Sequence, residues 1–146
     1  MNISILQNID EKSVLQLDEL LHKLDSEAPA LSRTRLESLA GEADFKLFTA
    51  SDSDGNLAGM LTLTCCQTLS RSKYWIEDVV VDPVCRGKGI GRALVRAAVN
   101  FVKEKKDDSV IYLTSNPSRI AARALYRSEG FEEYETGVFR IERINI

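Results

Sequence analysis

The hexapeptide Arg86-Gly87-Lys88-Gly89-Ile90-Gly91 constrains this chain more than any other stretch. Immediately before it stands Tyr74-Trp75-Ile76-Glu77-Asp78-Val79-Val80-Val81, dense in β-branched and aromatic residues and stopped by Asp82-Pro83, which reads as a central strand. After it, Ile90, Leu94, Ala97, Ala98 and Phe101 share one face over residues 89–105, while Arg92, Arg96 and Lys103 lie elsewhere. That pattern reads as a long helix packed on a sheet. A strand, a glycine turn and a helix in succession bring unpaired backbone N–H groups and the positive helix end to one point, which attracts phosphate. Glycines at 87, 89 and 91 permit positive φ and let phosphate oxygens approach the amides with no Cβ in the way, and Arg86, Lys88 and Arg92 can add charge.

Two familiar phosphate-binding plans do not fit. A dinucleotide fingerprint needs glycine where this chain has Arg92, and an acidic ribose partner at the end of the next strand is missing. A nucleotide triphosphatase loop needs four residues between its glycines and then Gly-Lys-Ser/Thr, whereas Lys88 is followed by Gly89-Ile90. The plainer alternative is that these glycines only make a tight strand-to-helix turn.

The rest of the chain reads as a mixed α/β domain spanning residues 1–146. Val14, Leu17, Leu20, Leu21 and Leu24 recur at helical spacing over residues 10–25, and Ser32 caps a shorter helix that ends at Gly41. This helical entry resembles a lid more than a core. Residues 45–50 and 57–67 read as a hairpin about the turn Asp52-Ser53-Asp54-Gly55-Asn56. Residues 110–115 read as a short buried strand, and Asn116-Pro117 as the cap and first position of a helix reaching Glu129. Gly130 suits a left-handed C-cap, and residues 131–134 and 138–144 read as closing strands.

Composition narrows the partners. A net charge of −3 speaks against a basic surface that tracks nucleic acid. The first residues show no basic start before a long apolar run, and nowhere do about 18 apolar residues run together, so neither a leader nor a membrane segment is expected and the chain is placed in the cytoplasm. Three cysteines, two of them the adjacent Cys65 and Cys66, and a single histidine, His22, give no disulfide framework and no metal-ligand spacing.

Two motifs together resemble a known family. Val81-Asp82-Pro83-Val84-Cys85-Arg86-Gly87-Lys88-Gly89-Ile90-Gly91 looks like the Arg/Gln-x-x-Gly-x-Gly/Ala signature of the GNAT superfamily of N-acetyltransferases, with its preceding strand. Ala122-Arg123-Ala124-Leu125-Tyr126-Arg127-Ser128-Glu129-Gly130-Phe131 is similar to that superfamily's second signature, Ala-x-x-Leu-Tyr-x-x-x-Gly-Phe. The resemblance covers residues 45–144 by element order. It implies a mixed, mostly antiparallel sheet with a splayed central parallel strand pair, flanked by helices, and acetyl-CoA held between the splayed strands at 75–81 and 110–115. By match of position, Arg86 to Arg92 cradle the pyrophosphate, the N–H near Val79 meets the thioester carbonyl, and Val80 and Val81 pair with the pantetheine arm. Many members carry asparagine where this chain has Arg119, and Asn116 offers another contact. Homodimerisation through the closing strands is common in the superfamily.

The resemblance also casts Tyr126 as general acid. A phenol with a reference pKa of about 10 stays protonated at neutral pH and can serve a leaving thiolate, although aromatic residues at helical spacing are more often packing. Regular alternation puts Glu77 on one strand face with Trp75, Val79 and Val81, and Asp78 on the other, so only one carboxylate can line the acyl site. Glu77 there takes the amine's proton, binds a cationic substrate, or pairs structurally. Cys66 and Cys85 lack an activating histidine. The implied activity is transfer of an acetyl group to a primary amine of a small molecule, by direct attack in a ternary complex. Acetylation of a protein N-terminus or lysine, and a catalytically silent acyl-CoA sensor, are the alternatives, and an amino sugar phosphate is a lesser acceptor candidate. The acceptor pocket is expected from residues 26–39 and 65–73.

Overall fold

In the computed structural model, which describes residues 1–143, five strands form one sheet in the order β1-β2-β3-β4-β5. They are β1 (Asn2–Ile5), β2 (Phe45–Ser51), β3 (Leu57–Gln67), β4 (Ser72–Val81) and β5 (Ser109–Tyr112). Every neighbouring pair is antiparallel except β4 with β5. The expected hairpin is β2–β3: the Asp52 carboxylate accepts from the N–H groups of Asp54 and Asn56, both at 2.9 Å, and Gly55 sits at φ +79°. β1 escapes the sequence pattern because it has only four residues, with Ile3 and Ile5 alternating inward.

Helices cover both faces. On one, α3 (Ile90–Lys103) buries Ile90, Leu94, Val95, Ala98 and Val102 in a cluster with Phe48, Leu61, Leu63 and Ile76. On the other, α1 (Glu11–Leu24) and α2 (Arg33–Ala40) set Leu17, Leu20 and Leu36 against Leu47, Met60 and Val80. An Asp10–Ser13 capping box starts α1 and the Ser32 side chain caps α2. Burying each of these leucines is worth roughly 1.5–3 kcal/mol. The two N-terminal helices are therefore a core layer and not the lid that the sequence suggested. None of the helices among the described residues is long and apolar enough to cross a membrane.

α4 (Ile120–Ser128) starts later than expected. The Asn116 carboxamide oxygen accepts from Ser118 N–H at 3.0 Å and Ser118 Oγ at 2.9 Å, and Arg119 N–H closes the turn on Asn116 O. Asn116 thus organises a turn ahead of the helix, and Arg119 holds the N-cap position. At the other end the expected left-handed cap is present: Gly130 has φ +98°, Phe131 N–H bonds to Tyr126 O, and Gly130 N–H bonds to Arg127 O. This is the Schellman pattern, completed by the Tyr126–Phe131 ring contact at 6.1 Å.

The two closing strands expected at 131–134 and 138–144 are absent from residues 131–143, and Ile144 lies outside the described residues. A strand exists only as part of a ladder, and alternation alone supplies no partner. Glu133 is tied to Arg123 and Arg127, while Val138, Phe139 and Ile141 remain exposed.

Candidate active site

The glycine turn leads into the start of α3. After β4, Asp82 caps a short 3-10 turn, Pro83–Cys85, through Val84 N–H, and its Oδ2 meets Lys23 Nζ of α1 at 2.9 Å. Lys23 and the Val84 N–H hold the Asp82 carboxyl below its usual pKa. Gly87 and Gly89 then take φ +81° and +78°, and Gly89 is the N-cap of α3 with no side-chain cap bond. The first N–H groups of α3, from Ile90, Gly91 and Arg92, therefore have no capping side chain from the N-cap position. A Cβ at Gly87 or Gly89 would meet no atom of the described residues within 4 Å, so open space lies over both. At Gly91 a Cβ would touch Leu125 Cδ1 at 3.6 Å and Val81 Cγ2 at 3.7 Å, which shows how closely α4 and β4 approach the start of α3.

The cations named from sequence separate. Arg86 follows the 3-10 turn and is exposed. Lys88 lines a recess of about 330 Å³ with Lys23, Asp82 and Cys85, on the α1 side. Arg92 is committed elsewhere: its Nη1 donates to Ser128 Oγ at 2.6 Å and to Glu129 Oε1 at 2.7 Å, and Arg96 Nη2 donates to the same Glu129 oxygen at 2.9 Å. These bonds clip the C-terminal end of α4 to α3, and with the two arginines they hold Glu129 below the usual carboxylate pKa.

Next to the glycine turn the parallel pair splays. β4 and β5 are in register from Ser72 with Ser109 to Trp75 with Tyr112, and no further. Beyond Trp75 no strand pairs with the β5 side of β4 among the described residues. Backbone alternation decides which peptides point there. Asp82 N–H bonds to Ala58 O on β3, and Val80 O lies 3.0 Å from where a Gly59 Cβ would stand, so Val80 turns its peptide toward β3. Its side chain enters the α1 core. By that alternation the peptide groups of Val79 and Val81 face away from β3, toward the unpaired side. Ser115, on the segment leaving β5, has a buried Oγ with no hydrogen-bond partner among the described residues.

A bulge in β4 corrects the expected strand faces. Between the pairs Met60–Val80 and Thr62–Glu77, Leu61 opposes both Asp78 and Val79, and Asp78 has φ +49°. Glu77 still shares a face with Trp75, but Val79 and Val81 move to the α3 side with Ile76. Asp78 Oδ2 accepts from Thr62 Oγ1 at 3.0 Å, so both carboxylates stand on the Thr62 side, against the expectation that they would part. Burial first, and then the Asp78 charge, push the Glu77 carboxyl above its usual pKa. Neither carboxylate has an ion-pair partner among the described residues.

Tyr126 is 7% exposed in the α3-side core. Burial raises its pKa above the ordinary phenol value, and the Arg119 guanidinium beside it pulls the other way. Asn116 spends its carboxamide oxygen on the turn before α4. Among the described residues no His, Cys, Asp and Glu side chains group in a way that could hold a metal ion. Gly59, absent from the sequence reading, earns a place here: a Cβ there would meet Val80 O at 3.0 Å, Leu94 Cδ1 at 3.2 Å and Ile90 Cγ2 at 3.3 Å. Its signal was a lone glycine inside a strand pattern, which marks close approach of another element. Asp78 gave a weaker signal, as one of the few residue types that tolerate left-handed backbone.

The sequence and the fold are similar to those of known proteins. The profile of the acetyltransferase (GNAT) family matches residues 14–131. Streptothricin acetyltransferase of Streptomyces lavendulae is 37% identical over 90 residues, covering 62% of this chain and 46% of that protein. N-alpha-acetyltransferase RimI of Mycobacterium tuberculosis is 33% identical over 85 residues, covering 58% and 51%. The chain thus spans about half the length of these curated relatives. Among solved structures, an acetyltransferase of Trypanosoma brucei superposes with a TM-score of 0.77 at 26% identity, covering 96% of this chain and 98% of that one.

Proposed function

The chain belongs to the acetyltransferase (GNAT) family, and from that premise we propose that it is an acetyl-CoA-dependent N-acetyltransferase acting on a primary amine of a small molecule. One domain carries both the cofactor and the acceptor. The observation that carries the reading is the uncapped start of α3 behind two left-handed glycines, directly beside a parallel strand pair that stops pairing after Trp75 and Tyr112. The residues fit the cofactor. Open space over Gly87 and Gly89 takes phosphate oxygens, the free peptides of Val79 and Val81 suit an amide-bearing arm, and Ser115 Oγ has its hydrogen-bonding capacity to spare.

Bound acetyl-CoA supplies an activated thioester, whose acyl C–S bond is exchanged for an amide C–N bond with release of the thiol. The protein supplies position, charge and two proton movements. Arg86 and the N–H groups of Gly87 to Gly91 hold the pyrophosphate. The N–H of Val79 stands ready for negative charge that develops on the carbonyl oxygen. Glu77 reaches the surface with a carboxyl that partial desolvation, and then the Asp78 charge, push above its usual pKa, and it removes the proton that keeps the acceptor nitrogen from attacking. Tyr126 keeps its phenolic proton at neutral pH and gives it to the departing sulfur. Lys88 and Arg92 are assigned lesser parts, since Arg92 already serves Glu129. Asn116 and Val80 act through backbone architecture more than through side-chain contact.

Thermal unfolding with acetyl-CoA tests the cofactor. At about 100 times Kd, ligand binding to the native state adds about 2.7 kcal/mol, and free-thiol release over a panel of amines, amino sugars and peptides then tests transfer. A melting temperature unmoved by millimolar acetyl-CoA would sink the reading.

A further inference from the structure

Register builds a second surface beside the splay. On the α1 side of the sheet, Phe45, Thr64, Trp75 and Tyr112 oppose one another across β2 to β5, and Leu47, Thr62 and Glu77 form the next row. α1 and α2 cluster with Leu47, Phe45 and Val80, whereas Trp75 and Tyr112 belong to neither core. These two rings stack at 4.9 Å with 27° between their planes, Tyr134 lies 6.0 Å from Tyr112, and both Trp75 and Tyr112 are partly exposed. At the edge of this aromatic floor stand Glu77 and Asp78, exposed and without an ion-pair partner among the described residues. Among the described residues, Thr62 bonds Oδ2 of Asp78 and no group bonds Oδ1. The basic residue of β4, Lys73, is four residues before Glu77, roughly 13 Å along an extended strand.

An aromatic floor with two free carboxylates at its rim complements an apolar or ring-shaped body that carries more than one positive charge. We propose that this face is the acceptor subsite and that it selects diamines: the nitrogen to be acetylated is held at Glu77, the second ammonium at Asp78, and the apolar body rests against the adjoining Trp75–Tyr112 stack. The inference rests on the acetyltransferase reading and deepens it. The same charges turn away acceptors with a carboxylate or phosphate in place of the second ammonium, amino sugar phosphates included. Asp78 and Trp75 are then specificity residues, distinct from the proton-transfer role of Glu77.

The chain contains one tryptophan, and it lies on this floor, so its emission reads binding directly. Wild-type protein is titrated at fixed ionic strength with 1,5-diaminopentane, 1-aminopentane and 5-aminopentanoate. The diamine is expected to half-saturate the emission change at a concentration at least about fivefold below the monoamine, with the amino acid weakest, as an added partly desolvated charge pair implies. Asp78→Asn removes the charge with a residue that also tolerates left-handed backbone, and should bring diamine and monoamine within about twofold. Equal half-saturation in wild type, an unchanged ratio in Asp78→Asn, or an emission indifferent to all three compounds overturns the subsite. Free-thiol release separates this from the parent reading. Protein that acetylates monoamine and diamine alike loses only the subsite, and protein that prefers the diamine by emission yet neither binds acetyl-CoA nor releases thiol keeps the subsite and loses the transfer reaction.

Discussion

Replacing Gly59 with alanine sets two opposing effects against each other at the seam between β3, β4 and α3. Alanine in a strand ordinarily gains about 0.5–1 kcal/mol over glycine, because the unfolded chain has less freedom to lose. Here the added Cβ would stand 3.0 Å from Val80 O, 3.2 Å from Leu94 Cδ1 and 3.3 Å from Ile90 Cγ2. Ordinary carbon contacts begin near 3.5 Å, so the start of α3 must retreat by about 0.3 Å or more. The Leu94 and Ile90 side chains can give; the Val80 carbonyl, held in the β3–β4 ladder, cannot do so cheaply. Overpacking of this kind costs about 1–3 kcal/mol, which outweighs the propensity gain and leaves a net loss of roughly 0.5–2 kcal/mol. At roughly 3 °C per kcal/mol for a chain of this size, the melting temperature should fall by about 2–6 °C. Because the retreating turn is the one behind Gly89, acetyl-CoA affinity should fall several-fold as well. Differential scanning calorimetry and titration calorimetry read the two effects, and a Gly59→Ala/Leu94→Val pair checks the cause, since trimming Leu94 should recover part of the loss. A Gly59→Ala protein that melts at or above the wild-type temperature, or strictly additive losses in the pair, would refute the reasoning.

Gly89→Val should abolish the acetyl-CoA thermal shift while an apo unfolding transition persists, because a β-branched residue resists φ +78° and fills the open space over the cradle; wild-type affinity in this variant excludes the cradle. Tyr126→Phe keeps ring volume and should lower turnover on the order of 10²-fold with little change in acetyl-CoA affinity. That defect should shrink on a thioester whose leaving thiol has a much lower pKa, and an undiminished defect removes the phenol from proton transfer. His22 faces two acceptors, Asp18 O at 2.7 Å and Ala28 O at 2.8 Å, with Asp18 and Asp25 as the charges beside it. Only the imidazolium can donate to both, and these two bonds raise its pKa above 6.5. Its stabilising contribution is therefore complete below about pH 6.5 and lost as pH rises through the higher folded value. The urea-midpoint difference between wild type and His22→Gln should narrow from pH 5.5 to pH 8.5, and a pH-independent difference contradicts this.

Local signals in the sequence survived folding wherever the cause was local. The turn at Asp52–Asn56, the Ser32 cap, the glycine turn at Arg86–Gly91 and the Gly130 cap are each decided within a few residues, by glycine's access to positive φ or by a side chain reaching a nearby N–H. The second signature gains a structural reason: the Schellman motif joins Tyr126 to Phe131, and Gly130 is the residue that permits it. Features decided by distant partners were not legible. Alternation put Glu77, Val79 and Val81 on one face, and only pairing with β3 reveals the extra residue at Asp78. That Arg92 also pairs with Glu129, 37 residues later, could not be read from the chain around it. The apolar spacing of α1 and α2 reported their amphipathicity but not that their buried stripe meets Leu47, Met60 and Val80. Residues 131–143 show the converse, a strand-like pattern with no ladder to join.

The register around the bulge separates what the sheet needs from what the site needs. Leu61 opposes two residues of β4, and Val79 already occupies the face that Leu61 requires. Subtract Asp78 from the count, and Glu77, Val79, Val80 and Val81 fall into regular alternation on the faces they now hold. The hydrophobic layers above and below are indifferent to its presence. Asp78 is in this sense an insertion into a strand that was complete without it, and the difference between a plain ladder and one with a carboxylate pair at its open edge is a change in length by a single residue.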